Sequence, residues 1–99
     1  MKMMKDQLFI PLVTESIVIL NQKGLHSRAA AKFVRVANSF KAETFVQKND
    51  LVVSAHSIVD LLMLAASQGT QLLLKSSGSE AQEAIDALKS LVLEKFQEE

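Results

Sequence analysis

Apolar residues in this chain alternate between two spacings, the short clusters of β-strands and the three-to-four spacing of helices, and the switch recurs from one end to the other. Glu15–Leu20, ESIVIL, is apolar and β-branched, and Asn21, Gln22, Lys23 and Gly24 break it, so it reads as a strand running into a loop. From Ser27, residues Ala30, Phe33, Val34 and Ala37 share a helical face opposite Lys32, Arg35 and Asn38, which predicts a helix ending near Ser39. Glu43–Lys48 and Leu51–Ser54 read as strands joined at Asn49-Asp50, two residues that tolerate the left-handed backbone of a tight turn. After Ser57, residues Ile58, Leu61, Leu62 and Ala65 fit a second helix that Gln68-Gly69 stops, and Thr70–Lys75 follows as a strand. Ser76–Ser79 reads as a polar turn. From Glu80, residues Ala84, Ile85, Leu88, Leu91, Val92 and Phe96 line one stripe against Glu83, Lys89 and Glu94, the longest helix of the chain.

The order β-α-β-β-α-β-α predicts an α+β fold, a four-stranded antiparallel sheet with three helices on one face and the other face open. With 99 residues there is room for one core, so we read a single domain, with residues 1–13 as an N-terminal extension and lead-in. Eleven basic residues balance eleven acidic ones, which argues against a nucleic-acid partner. The absence of cysteine excludes disulfides and thiolate metal sites, and the two histidines and scattered carboxylates have no metal-ligand spacing. No apolar run approaches the roughly 20 residues that span a bilayer, and the N-terminus lacks the form of a signal peptide. The expectation is a cytoplasmic protein without membrane contact, cofactor or metal.

The segment that carries chemistry is Gly24-Leu25-His26-Ser27-Arg28-Ala29-Ala30-Ala31-Lys32-Phe33. His26 stands at a helix entrance, where the backbone N–H groups of Ser27 and Arg28 lack intrahelical partners and the dipole end favours an anion. The same field disfavours the imidazolium form of the ring, leaving a neutral nucleophile. Arg28 adds a planar fork of donors suited to phosphate oxygens. Gly24, with the small residues Ala29, Ala30 and Ala31, is expected to leave room for a second protein to approach. By itself a histidine before a helix is more often an ordinary capping neighbour.

GLHSRAAAKFV resembles the active-site signature of the HPr family, GLHxRPAAxFV, and the similarity continues through Ser57, the LLMLAASQGT run and the closing helix. The resemblance implies an open-faced β-sandwich and a phosphoryl carrier, itself not an enzyme, in a relay that starts from phosphoenolpyruvate. Enzyme I would phosphorylate His26 on Nδ1, Arg28 would clasp the phosphate, and an enzyme IIA-type acceptor would receive it. Lys32, Arg35, Ile58, Val59, Leu62 and Met63 would form the partner surface of a monomeric carrier. Three residues depart from the usual pattern. Ala29 replaces proline, as in the α-proteobacterial, nitrogen-related branch. Asp50 replaces a turn glycine. Asp60 replaces the lysine of enteric sugar-transport members, which leaves open a regulatory module whose phosphorylation state modulates a target instead of feeding sugar uptake.

Ser57-Ile58-Val59-Asp60 reads as a capping box in which the carboxylate reaches back to the cap. In many bacterial members of the family the same serine is also the target of HPr kinase/phosphorylase, although the enteric branch has the serine without the kinase, so Ser57 is both a cap and a candidate regulatory site. His56, without a glycine loop or an arginine, reads as a solvated turn residue. Leu61, Leu62, Met63 and Leu64 cannot all face one core, so part of this helix is expected to be an exposed docking patch.

Overall fold

The structure is a computed structural model that describes residues 12–98, so the expected extension is outside it except for Leu12 and Val13, which lie in the first strand. The elements are β1 (Leu12–Val18), α1 (Ser27–Ala37), β2 (Glu43–Lys48), β3 (Leu51–Ser54), α2 (Ile58–Met63), β4 (Gln71–Ser77) and α3 (Ala81–Leu93), followed by a 3₁₀ turn at Lys95–Gln97. The strands form one antiparallel sheet in the order β1-β4-β2-β3. The predicted α+β class and element order are therefore those observed.

Side-chain alternation divides the sheet into two faces. Ile17, Val46, Val53, Leu72 and Leu74 point inward, where they meet Phe33 of α1, Leu61 of α2 and Ile85, Leu88 and Val92 of α3. Val18, Phe45 and Val52 remain exposed on the opposite, helix-free face. The two-residue turn at Asn49-Asp50 has Asn49 at φ 53°, the left-handed conformation expected there.

Element ends differ from the sequence reading wherever long-range pairing outweighs local preference. β1 runs Leu12–Val18 instead of Glu15–Leu20, because β4 extends to Ser77 and pairs it with Leu12. Ser76 is thus a strand residue, fully buried with its hydroxyl 2.8 Å from that of Thr44, and not part of a polar turn. α2 ends at Met63, short of Gln68-Gly69. Ala65 adopts φ 49° there, which lets Leu64 and Ala66 both enter the core. Lys48 Nζ donates to the carbonyls of Leu64 and Ala65 at 2.9 and 3.4 Å, satisfying the freed helix end. α3 ends at Leu93, and Phe96 reaches the core through the following turn instead of along the helical stripe.

Candidate functional site

His26 is the N-cap of α1, with φ −79° and ψ 179°, and its side chain does not cap the helix. The first N–H groups of α1 are therefore left without either an intrahelical or an N-cap acceptor, as an anion site requires. The loop before it is shaped by Gly24, whose φ of +70° and contact with the backbone of Ala66 and Ser67 admit no side chain. A Cβ there would stand 2.6 Å from the Ala66 carbonyl oxygen. Leu25 N–H donates to that same carbonyl at 2.8 Å. Gly24 thus serves internal packing between two loops, not access for a partner. Ala29 and Ala30 are likewise fully buried, on the inner face of α1, while Ala31 is only partly covered.

The ring of His26 is 27% exposed, and its Nε2 lies 2.7 Å from Glu98 Oε2. Among the described residues Nδ1 has no hydrogen-bond partner. Glu98 Oε1 accepts from Asn21 Nδ2 at 2.8 Å, and the same amide nitrogen donates to the Gly24 carbonyl at 2.7 Å. Asn21 is fully buried. Neither Asn21 nor Glu98 was legible as a site residue: Asn21 looks like a strand breaker, and Glu98 is 72 positions from His26 in an acidic tail. The helix end is consequently not the only field at the ring, since a carboxylate opposes it.

The Glu98 carboxyl is held below its usual 4.5, chiefly by the Asn21 amide and further by the His26 hydrogen bond and the charges of His26 and Lys23, against the opposing effect of burial. A carboxyl lowered in the folded state contributes stability above the unfolded value that is lost as pH falls through the lowered one. An NMR titration of the Glu98 carboxyl carbon should therefore give a midpoint below 4.5.

The remaining sequence candidates are distributed around this centre. Ser27 and Arg28 are exposed on the first turn of α1, and Arg28 takes no part in the ion pairs among the described residues, His26–Glu98 and Lys89–Glu15. Arg35 is exposed further along α1. Lys32, expected at the partner surface, instead turns its Nζ onto the Phe96 carbonyl at 2.7 Å, because the left-handed C-terminal turn leaves that oxygen free within reach. Ile58, Val59, Leu62 and Met63 are exposed while Leu61 and Leu64 of the same run are buried, dividing the helix as expected. Residues Ala65–Ser67, just after α2, join Lys23, Leu25 and His26 around a shallow open depression of about 220 Å³.

At the other end of α2 the Ser57 hydroxyl accepts from Asp60 N–H at 3.1 Å, as a capping serine should. The Asp60 carboxylate does not return to the cap. It accepts from Ser54 N–H at 3.2 Å, tying β3 to α2. His56 is not a solvated turn residue either: Nε2 accepts from Thr44 N–H at 3.1 Å and Nδ1 lies 2.6 Å from Asn38 Oδ1. From the turn that enters α2 it bridges β2 and the end of α1.

The family model described as "PTS HPr component phosphorylation site" matches residues 13–94. The chain belongs to the HPr family. It is 44% identical over 81 residues to the phosphocarrier protein HPr of Neisseria meningitidis serogroup A, covering 82% of this chain and 91% of that one. HPr-C-His from Thermoanaerobacter tengcongensis is similar in structure, with a TM-score of 0.85 and 40% identity over 88% of this chain and 98% of that one. An HPr dimer from the same organism gives a TM-score of 0.69 at 41% identity, with 81% and 92% covered. This member of the family is accordingly a phosphocarrier of the phosphotransferase system, a carrier and not an enzyme with turnover of its own. Among the described residues no helix is long and apolar enough to cross a membrane, and no three metal-ligating side chains cluster.

Proposed function

We propose that His26 is the phosphoacceptor of this carrier, loaded by enzyme I and unloaded by an enzyme IIA-type acceptor. One observation supports this above the others: an imidazole with an unoccupied Nδ1 stands at a helix N-terminus whose N–H groups its own side chain does not use. In loading, the Nδ1 lone pair forms a bond to phosphorus as the N–P bond of the donor phosphohistidine breaks, its electron pair staying on the donor. The N–H groups of Ser27 and Arg28 and the guanidinium of Arg28 then face the phosphoryl oxygens. Incubation with phosphoenolpyruvate and enzyme I should produce an acid-labile phosphate located on His26 by mass spectrometry, and a label elsewhere would refute the assignment.

The exposed residues Ile58, Val59, Leu62 and Met63 form the apolar part of the partner surface, with Arg35 and Arg28 as its charged part. Lys32 contributes its stem at most, since its ammonium is engaged. Cytoplasmic location and a monomeric state complete this reading; sedimentation of the free protein as a dimer would correct the second. Ala29 favours the nitrogen-related branch and regulatory use of the relay, whereas Asp60 says little about the acceptor because its carboxylate serves the β3–α2 junction.

Ser57 is a regulatory site for HPr kinase/phosphorylase that acts at this surface. A phosphate would put about two negative charges beside Ile58 and Val59, which must desolvate when a partner docks. Ser57→Asp should keep the melting behaviour of the parent yet bind enzyme I more weakly. Ser57→Ala should bind normally and lose about 1 kcal/mol of stability with the cap. Equal enzyme I affinities for the Asp variant and the parent in titration calorimetry would leave Ser57 a helix cap alone.

A further inference from the structure

We infer that Glu98 is a positioning residue for His26: its carboxylate, oriented by Asn21, accepts the Nε2–H of the imidazole and so presents the Nδ1 lone pair as the nucleophile. This role deepens the phosphoacceptor reading and rests on it. An ionised carboxylate can only accept hydrogen bonds, so the 2.7 Å contact requires the proton on Nε2 and leaves Nδ1 as the basic nitrogen of the neutral ring. The second carboxylate oxygen is held at 2.8 Å by Asn21, which is itself buried and tied to Gly24 in the loop that sets His26. Asn21, Glu98 and His26 thus form a line in which each group orients the next, the logic by which a carboxylate fixes a catalytic imidazole in other folds.

The chain takes an unfavourable route to bring Glu98 there. Lys95, Phe96 and Gln97 adopt φ values of 55°, 55° and 61°, a left-handed run that side chains with a Cβ disfavour. Such backbone persists only where its surroundings enforce it. Here Phe96 is fully buried, and Lys32 Nζ holds its carbonyl at 2.7 Å. The turn folds the residues after α3 back over the start of α1 and ends on the His26 ring. As the Nδ1–phosphorus bond forms, the ring, with Nε2 still protonated, gains positive charge, and the adjacent carboxylate offsets it.

The full chain and its Glu98→Ala, Glu98→Gln and Glu98→Asp variants should be compared by long-range ¹⁵N–¹H NMR of the His26 ring and by the rate of phosphoryl uptake from phosphorylated enzyme I. The parent should show a single tautomer protonated on Nε2. Glu98→Ala should show tautomer averaging and take up phosphate about 10-fold more slowly, the lower end of what partners that orient a functional histidine contribute. Glu98→Gln keeps an acceptor but no charge, so it should retain the tautomer and be slowed less, and Glu98→Asp should recover part of the rate lost in the alanine variant. A parent ring protonated on Nδ1, or an alanine variant equal to the parent in tautomer or rate, would overturn the role of Glu98. Failure of the parent itself to accept a phosphoryl group would instead remove the phosphoacceptor reading, whatever tautomer the ring shows.

Discussion

His26→Ala is expected to take up no phosphoryl group from phosphorylated enzyme I while keeping the circular dichroism spectrum and melting transition of the parent. The ring lies at the surface end of α1, 27% exposed, and its hydrogen bond is to Glu98 near the end of the chain. Removing it opens no core cavity and leaves the helix start as it is, because the side chain does not cap α1. The other histidine cannot substitute. Both ring nitrogens of His56 are engaged, one accepting from Thr44 N–H and the other beside Asn38 Oδ1, so it has no lone pair free to attack phosphorus. Normal labelling of the alanine variant after incubation with phosphoenolpyruvate and enzyme I would show that the carrier site lies elsewhere.

Arg28→Ala should slow phosphoryl uptake by about 10²-fold, the scale on which one preorganised donor stabilises charge developing in a transition state. The moving phosphoryl group carries its negative charge on three oxygens, and stabilisation must come from groups already aimed at them. Arg28 is suited to this because it is exposed on the first turn of α1, two residues after His26, and engages no carboxylate among the described residues. Arg28→Lys should fall between parent and alanine, since an ammonium supplies the charge without the planar fork. Stability should change little in either variant. Rapid-quench measurements giving equal uptake rates for the alanine variant and the parent would assign the stabilisation to the helix N–H groups alone.

Strand and helix interiors were legible because each is a local pattern with a solvent side and a core side. Phe33 with Ala30 and Ala37, or Ile85 with Leu88 and Val92, repeat at helical spacing, and burial follows that spacing. Element ends were not. Whether β1 begins at Leu12 depends on Ser77 opposite it, and whether α2 continues past Met63 depends on Ala66 meeting Gly24 and Leu25. Turn residues were misread for the same reason. His56 looks free when only its neighbours are counted, yet it bridges β2 and α1.

The sequence by itself determined the α+β order, the helix start at His26 with Arg28 two residues on, the serine cap of α2 and the division of α2 into buried and exposed residues. All of these follow from interactions among residues a few positions apart, which periodicity and capping chemistry report directly. Only the tertiary structure decided what surrounds the imidazole. Glu98 reaches His26, and Asn21 reaches Glu98, because α3 packs on both β1 and α1 and the turn after Leu93 folds back, and the same turn engages the Lys32 ammonium through the Phe96 carbonyl. No local pattern could announce that geometry, since a contact between residues 72 positions apart exists only once the core that brings them together has formed.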